Sequence, residues 1–140
     1  MGDCPFCDIG TTGTDEDLIA FRSEQVVVIP APKQRPLNPG HMLVLPRSHI
    51  TTLIDVQPLL MQELHMVAGR VSMAVRKAFG AIGATLFQND GTPDQVLYHV
   101  HIHVVPRSVG DDFKMPDPVK RSLTREERQA QALAIRNALI

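Results

Sequence analysis

The sequence predicts an α+β domain, in which one long helix packs on an antiparallel sheet of about five strands and a further helix lies near the C-terminus. The first observation behind this prediction is that apolar side chains from Leu60 to Ala78 recur at steps of three and four, as in an amphipathic helix. The second is a set of short β-branched or alternating stretches, separated by turn residues, which is typical of strands. With 140 residues, the chain is expected to form a single domain, residues 1–140, with a sizeable core.

The first two strands are expected to form a hairpin. They are residues 18–22 and 25–29, and a short turn joins them. The preceding stretch, residues 11–17, is rich in Gly, Thr and acidic side chains and is predicted to be a loop. The following stretch, residues 30–39, contains four prolines, which exclude regular structure because proline lacks a backbone N–H donor.

A central strand and the long helix come next. Residues 41–45 are a histidine followed by a continuous apolar run, which suits a strand inside a sheet. Asp55 is a good N-cap for the helix, Pro58 suits its first turn, and Gly80 suits its end. The apolar stripe that should cover the sheet consists of Leu60, Leu64, Val67, Val71, Val75 and Ala78.

Two more strands complete the predicted sheet. Residues 84–88 form one, and the Asn-Asp-Gly sequence at residues 89–91 is a turn signal. Residues 97–107 form the other, because histidines alternate strictly with β-branched residues there. Successive side chains of a strand point to opposite faces, so two rows are expected. The row against the helix is Tyr98, Val100, Ile102 and Val104, and the opposite row is His99, His101, His103 and Val105.

The C-terminal part is expected to be a loop followed by a helix. Residues 111–118 are polar and contain prolines, which is typical of a loop. Thr124 and Glu127 have the spacing of a capping box, in which each residue satisfies a backbone N–H at the start of a helix. The helix that follows has a weak apolar face, formed by Leu133, Ile135, Ala138 and Leu139.

Composition and charge exclude several classes of protein. Lys+Arg 14 and Asp+Glu 15 give a net charge of −1, and 4% of the residues are aromatic, with no Trp. The chain therefore has neither the basic surface nor the stacking platforms of a nucleic-acid-binding protein. No stretch resembles a signal peptide or a membrane span, so we expect a cytoplasmic protein without a membrane partner. Two cysteines three positions apart cannot hold a domain of this size together through a disulfide, so the class of disulfide-stabilised scaffolds is excluded.

The row of histidines is the strongest functional signal in the sequence. A half-buried imidazole without a hydrogen-bond partner costs free energy, so three on one face are hard to explain as structural residues. Neighbours on one face of a strand lie about 6.6–7 Å apart, which separates His99 from His103 by about 13 Å. All three cannot easily bind one metal ion, so they are predicted to have different tasks. His41, on the neighbouring strand, is expected to support them.

The Cys4-Pro-Phe-Cys7 sequence has three interpretations. Half of a zinc site is favoured, because two thiolates need two further ligands to complete a tetrahedron. A redox pair is disfavoured, because no strand precedes it as one does in a thioredoxin-like unit. The third interpretation is a pair of reduced cysteines without a role.

Residues 99–105, read as HVHIHVV, resemble the signature of the histidine triad (HIT) family. The resemblance includes residues 89–91, Gln95, residues 39–44, the cysteine pair and residues 106–107, so it covers about residues 4–113. Residues 114–140 are then a C-terminal extension with a helix. The resemblance implies a HIT-like fold and a homodimer. It also implies hydrolysis or transfer of a nucleotide at its α-phosphate through a nucleotidyl-histidine intermediate, with a phosphoramidate or dinucleoside polyphosphate as substrate.

The resemblance further implies roles for individual residues. His101 would be the nucleophile, with His41 and His99 orienting the other imidazoles. The residues that would donate hydrogen bonds to substrate oxygens are His103, Asn89 and Gln95. Some HIT relatives hold a structural Zn²⁺ ion, and the matching ligands here are Cys4, Cys7, His49 and His99. Relatives usually place an Asp or Asn against the ribose, but the matching residue here is Lys33, so this loop is not expected to hold the ribose.

Two other functions remain open at this point. A zinc-dependent metallohydrolase would use His99 and His101 as metal ligands and attack with an activated water. A nucleotide-binding module with little catalytic activity would bind the nucleotide at the same site but would hardly hydrolyse it. Within the enzyme class, the sequence does not separate a phosphoramidase from a dinucleoside polyphosphate hydrolase or a phosphorylase.

Overall fold

One antiparallel sheet organises the protein, and the predicted α+β fold is confirmed. The structure is a computed structural model that describes residues 4–11, 16–115 and 121–138. Within these residues the sheet has five strands in the order β1-β2-β3-β5-β4. The strands are β1 (Phe21–Arg22), β2 (Val26–Pro30), β3 (Met42–Pro46), β4 (Gly83–Phe87) and β5 (Ile102–Arg107). The helices are α1 (Pro5–Thr11), α2 (Pro58–Phe79) and α3 (Arg125–Ala138), with short 3-10 turns at Glu16–Leu18 and Leu53–Asp55.

The long helix α2 covers one face of the sheet, as predicted. Its buried residues pack against Val28, Val44 and Val104 of three different strands, and these side chains are almost fully buried. Burial of each such side chain contributes roughly 1.5–3 kcal/mol to folding. The helix ends at Gly80, whose φ of +68° is the left-handed conformation that glycine adopts without a Cβ clash. Its buried residues are Leu60, Leu64, Val67, Ala68 and Val75.

The start of α2 differs from the prediction at one residue. Asp55 is not its N-cap, because it belongs to the preceding 3-10 turn and accepts a hydrogen bond from the Thr52 hydroxyl at 2.5 Å. Gln57 occupies the N-cap position and Pro58 the first helical position. The missing N–H of proline costs nothing at this position, because the first N–H of a helix has no partner within the helix. No side-chain hydrogen bond caps this end of α2.

The short helix α1 covers the opposite face of the sheet, and no pattern in the sequence predicts it. Phe6, which is 3% exposed, packs with Ile29, Leu43 and Leu45 in a second core cluster. A helix of seven residues is too short to show a helical period. It is stabilised by burial of this phenylalanine rather than by its own propensity.

The strand that carries the histidines is shorter than predicted. It begins at Ile102 rather than at residue 97. The N–H of Val100 donates to the carbonyl of Ile50 at 2.7 Å, outside the sheet, so the chain before Ile102 is not part of the ladder. Val100 and Ile102 still face α2 as predicted. The prediction for Tyr98 was wrong, because this side chain lies where the chain has left the sheet and is 54% exposed.

The predicted first strand is also shorter, since Glu16–Leu18 form a 3-10 turn and only Phe21–Arg22 pair with β2. Of the two predicted loops, residues 12–15 and 116–118 lie outside the described residues. The described part of the second loop, residues 111–115, has no helix or strand, as predicted.

The capping box before α3 is confirmed. The N–H of Glu127 donates to the Thr124 hydroxyl at 3.1 Å, and the N–H of Thr124 donates to the Glu127 carboxylate at 2.8 Å. The apolar residues Leu133 and Ile135 of this helix are 54% and 61% exposed.

Among the helices of the described ranges, none combines the length and the apolar character needed to cross a membrane.

A buried carboxylate fixes the loop that follows β5. Asp111 is 7% exposed and accepts two hydrogen bonds from Arg107, at 2.6 and 3.0 Å. It also accepts hydrogen bonds from the side chain of Asn38 and from the N–H groups of Ser108 and Phe113. The Arg107 guanidinium and these N–H donors hold the pKa of Asp111 well below its usual range. The loop is therefore anchored to the end of β5 and to Asn38 in the loop between β2 and β3.

Replacing Asp111 with asparagine should lower the melting temperature by several degrees near neutral pH, because Arg107 loses its charged partner. An Asp with a depressed pKa in the folded state stabilises the fold above its unfolded pKa, about 3.9, and loses this contribution as the pH falls further. The difference between wild type and variant should therefore shrink between about pH 5 and pH 2 in thermal melts. A difference that does not change with pH would contradict this assignment.

Candidate functional site

Three imidazoles meet on the sheet face that α2 does not cover. His103 lies on β5, His101 immediately precedes this strand, and His41 immediately precedes β3. The ring centroids of His101 and His103 are 4.8 Å apart, and those of His41 and His103 are 5.1 Å apart. The chain pairing explains this meeting, because Leu43 of β3 lies opposite His103 of β5. The structure therefore brings together all three histidines for which a catalytic role was predicted.

The hydrogen bonding of His101 defines which of its nitrogens can react. Its Nδ1 atom lies 2.7 Å from the backbone carbonyl oxygen of His99. A carbonyl oxygen only accepts hydrogen bonds, so Nδ1 carries the proton and the neutral ring has a lone pair on Nε2. Burial lowers the pKa of His101, which keeps the ring neutral near pH 7. A neutral imidazole with a free Nε2 is a nucleophile that needs no prior deprotonation.

His41 and His103 form a neutral pair. The Nε2 atom of His41 lies 3.0 Å from the Nδ1 atom of His103, so one nitrogen donates and the other accepts. Burial, with smaller contributions from Arg35 and neighbouring histidines, lowers the pKa of His41 to about 4 and that of His103 to about 3. Phe87 stacks flat on His103, with centroids 4.2 Å apart and an interplanar angle of 7°. The ring of His103 is thus fixed on two sides, and its Nε2 atom is not used by this pair.

Phe6 contacts the same row of imidazoles, although no role was predicted for it. Its ring meets His101 edge-on at 5.2 Å and His99 edge-on at 5.7 Å between centroids. Only its position between the two cysteines indicated that it would lie near a site. Because Phe6 is buried, it restricts the orientation of the His101 ring from the side of α1.

Four side chains beside this row form a candidate metal centre. Cys4, Cys7, His49 and His99 each present a ligand atom, and these atoms lie within 4.8 Å of one another. The Nδ1 atom of His99 is 3.4 Å from the sulfur of Cys4 and 3.6 Å from that of Cys7, and the Nδ1 atom of His49 is 3.2 Å from that of Cys7. Zinc bonds of about 2.3 Å to sulfur and about 2.0–2.1 Å to nitrogen give tetrahedral S···N edges of about 3.5 Å. The observed spacing fits zinc.

The protonation of these ligands also fits a metal ion. The Nε2 atom of His99 lies 2.8 Å from the carbonyl oxygen of Pro46, so it donates there and directs the Nδ1 lone pair at the thiols. Burial and the neighbouring Cys4 raise the pKa of the Cys7 thiol to about 11. A coordinated cation reverses such a shift, because a thiol that binds a metal is deprotonated. Four protein ligands leave no open position for substrate, which is typical of a structural site.

The remaining predicted substrate ligands make their hydrogen bonds within the surrounding loops. Gln95 is 3% exposed, and its amide accepts from the N–H of Gly91 at 2.6 Å and donates to the carbonyl of Thr51 at 2.9 Å. The side chain of Asn89 donates to the carbonyl of Asp94 at 3.4 Å, a long hydrogen bond. Among the described residues, neither side chain is hydrogen-bonded to a histidine, and contact of both with a phosphate stays a prediction. Lys33 is exposed on the loop between β2 and β3.

Comparison with known proteins points to one family. A family model of the HIT domain matches residues 13–110. An uncharacterized HIT-like protein of Saccharolobus solfataricus is 32% identical over 129 residues, which are 91% of this chain and 88% of that protein. An adenylylsulfatase of Arabidopsis thaliana is 29% identical and matches 95% of this chain, but this chain covers 66% of its length. An asymmetrical bis(5′-nucleosyl)-tetraphosphatase of Schizosaccharomyces pombe is 31% identical, with 71% of this chain and 54% of that protein covered.

Solved structures show the same fold. A member of the HIT family from Bacillus subtilis superimposes with a TM-score of 0.82 at 25% identity, covering 99% of each chain. A zinc-bound histidine triad family protein from Mycobacterium smegmatis gives a TM-score of 0.71 at 31% identity, covering 97% of this chain and 96% of that chain.

Proposed function

This chain belongs to the histidine triad family, and on that premise we propose that it hydrolyses or transfers nucleotides at the α-phosphate through a nucleotidyl-His101 intermediate. The observation that carries the proposal is the hydrogen bond from His101 Nδ1 to the His99 carbonyl, which leaves Nε2 free on a neutral ring. The substrates we propose are nucleoside phosphoramidates and dinucleoside polyphosphates. Relatives named as an adenylylsulfatase and a nucleosyl tetraphosphatase support a hydrolase that acts on nucleotides.

In the first step, Nε2 of His101 attacks the α-phosphorus and forms a P–N bond, while the bond from phosphorus to the leaving group breaks. A leaving phosphate departs as an anion, and a leaving amine takes up a proton from water as it departs. If His41 Nε2 donates to His103 Nδ1, the neutral His103 carries its proton on Nε2. That N–H is then available to donate to an oxygen on which charge develops. In the second step, water attacks the same phosphorus, the P–N bond breaks, and His101 returns to its neutral form. Asn89 and Gln95 are proposed as further donors to the phosphate.

The test offers the protein adenosine and guanosine phosphoramidates and dinucleoside polyphosphates. A rapid quench at alkaline pH, where the acid-labile P–N bond survives, is followed by mass spectrometry of the intact chain. We expect a mass increase of one nucleotidyl group, lost in the His101→Ala variant. Turnover without an adduct, abolished at once by chelation, would instead support the metallohydrolase that uses His99 and His101. Binding without turnover would support the nucleotide-binding module.

We also propose that Cys4, Cys7, His49 and His99 hold a structural zinc ion. The S···N distances and the tautomer of His99 support it, and one solved relative is zinc-bound. The ion would tie α1 to the segment before β5. Its ligand His99 also provides the carbonyl that fixes the proton of His101, so the metal centre would support the site without taking part in a step. The homodimer and the cytoplasmic location implied by the family stay predictions.

A further inference from the structure

Arg35 lies on the loop between β2 and β3, and this loop is anchored to the backbone of His41. The side chain of the preceding residue, Gln34, donates to the carbonyls of Ala31 and His41 at 3.0 and 3.2 Å. It also accepts from the N–H of Gly40 at 3.0 Å. These bonds cross-link both ends of the loop, so the backbone of Arg35 has a fixed position relative to His41.

The side chain of Arg35 is held on an aromatic ring. Its guanidinium carbon lies 4.5 Å from the centroid of Phe113, and that of Arg107 lies 4.3 Å from the same centroid. Phe113 itself is positioned through its N–H, which donates to the buried Asp111. The two arginines therefore share one ring, which is attached to the anchored loop after β5.

The two arginines differ in their charge partners. Arg107 is paired with Asp111 at 2.6 Å and also donates to the Thr85 hydroxyl at 2.9 Å. Arg35 has no ion pair with a carboxylate anywhere in residues 4–11, 16–115 and 121–138. A guanidinium that stacks through its flat face keeps N–H donors at its edge for another group. Within the described residues, Arg35 is thus a positioned cation without a carboxylate partner.

Arg35 meets Arg107 on the ring of Phe113, and Arg107 lies on the same strand as His103. His103, Val105 and Arg107 alternate along β5, so they share the face on which the imidazoles meet. After burial, the positive charge of Arg35 is among the causes that lower the pKa of both His41 and His103. Both imidazoles are neutral, so neither offers Arg35 a charge to bind. An anionic substrate would supply one.

We propose that Arg35 binds a second anionic group of the substrate, a phosphoryl or sulfuryl group beyond the phosphate that His101 attacks. This inference rests on the proposed function and narrows its substrate class. A guanidinium matches such a group because its planar N–H donors bind two oxygens at once. Substrates with a second anionic group are therefore preferred over phosphoramidates, whose leaving amine is neutral. The second group lies either on the leaving group or on the ribose.

The experiment compares Arg35→Gln with wild type on three substrates. Diadenosine tetraphosphate carries the extra charge on its leaving group, adenosine 5′-phosphoramidate carries none, and a 3′-phosphorylated adenosine 5′-phosphoramidate carries it on the ribose. We expect kcat/KM to fall about 10–100-fold on the substrate whose extra anion Arg35 binds, and less than about 3-fold on the plain phosphoramidate. The affected substrate identifies the position of the anion. Equal losses on all three substrates, or no loss on any, would overturn the proposal.

Arg70→Gln is the matched control. Arg70 also lies over an aromatic ring, Phe21, at 5.7 Å, but it is on α2, on the opposite face of the sheet. Its removal should leave all three kcat/KM values unchanged. Arg35→Lys keeps the charge without the fork of donors and should recover part of the loss.

A binding measurement separates this proposal from the proposed function. In the His101→Ala background, where chemistry is not needed, Arg35→Gln should weaken binding of diadenosine tetraphosphate or of 3′-phosphoadenosine 5′-phosphoramidate at least about 10-fold. If wild type turns over no substrate but this difference is found, the proposed function is wrong and the role of Arg35 stands. If wild type turns over the substrates and Arg35→Gln changes neither binding nor kcat/KM, the role of Arg35 is wrong and the function stands.

Discussion

Replacing His101 with alanine is expected to lower the turnover of a nucleoside phosphoramidate or dinucleoside polyphosphate at least ~10³-fold, because the variant lacks the proposed nucleophile. The fold should be retained, since His101 is only partly buried and lies outside the β5 ladder. Single-turnover rates with a saturating substrate, together with circular dichroism, measure both parts of this expectation.

Two matched histidine variants make the result specific. His103→Ala should cost less, on the order of 10–10³-fold, because it removes one hydrogen-bond donor to developing charge. His65 is exposed on α2, where its Nδ1 lies 3.0 Å from the carbonyl oxygen of Met61. His65→Ala should therefore leave turnover unchanged. Near-normal turnover by His101→Ala would end the proposed mechanism. A larger loss in His103→Ala than in His101→Ala would reverse the two roles.

Removing the metal is expected to destabilise the protein without abolishing its chemistry. Either chelation or the double variant Cys4→Ser with Cys7→Ser should lower the melting temperature by several degrees, because the free energy of metal binding contributes to folding. The ligands join α1 to the segment before β5, so their loss frees the N-terminal cover of the histidine face. Thermal melts of the loaded, stripped and doubly substituted proteins give the comparison.

Elemental analysis of protein purified without added metal or chelator provides the control. About one zinc ion per chain is expected. A content far below one would show that the four residues do not hold a structural zinc ion. Activity should persist in the stripped protein at temperatures where it remains folded. Immediate loss of activity on chelation, with the fold intact, would favour a metallohydrolase in which the ion takes part in the reaction.

Local sequence patterns predicted the long helix, the start of α3 and the residue types of the site. The apolar period from Leu60 to Ala78 predicted α2 and the face that it packs on the sheet, except that Ala78 is exposed. Thr124 with Glu127 marked the start of α3. The alternation around the histidines correctly directed Val100, Ile102 and Val104 into the core. Each of these features depends on residues a few positions apart, so a pattern in the sequence can record it.

The tertiary structure alone decided where local patterns end. The alternation continues through residues 97–101, but their backbone leaves the sheet and Val100 bonds to Ile50 instead. The same applies to α1, which has no helical period and depends on burial of Phe6 against strands far along the chain. Local propensity is a weak guide in both places, because packing decides the outcome.

The tertiary structure also decided which side chains meet. The sulfur of Cys4 and Nδ1 of His99 lie 3.4 Å apart although 95 positions separate them in the chain, and the sequence indicated this pair only through the resemblance to the HIT family. Arg35 and Arg107 meet on the ring of Phe113, and nothing in the neighbourhood of either arginine indicates this. Such contacts form only when packing of distant elements offsets the entropy lost in closing the long loops between them. That balance between packing and entropy depends on the whole core, so a local stretch of sequence does not indicate which distant side chains will meet.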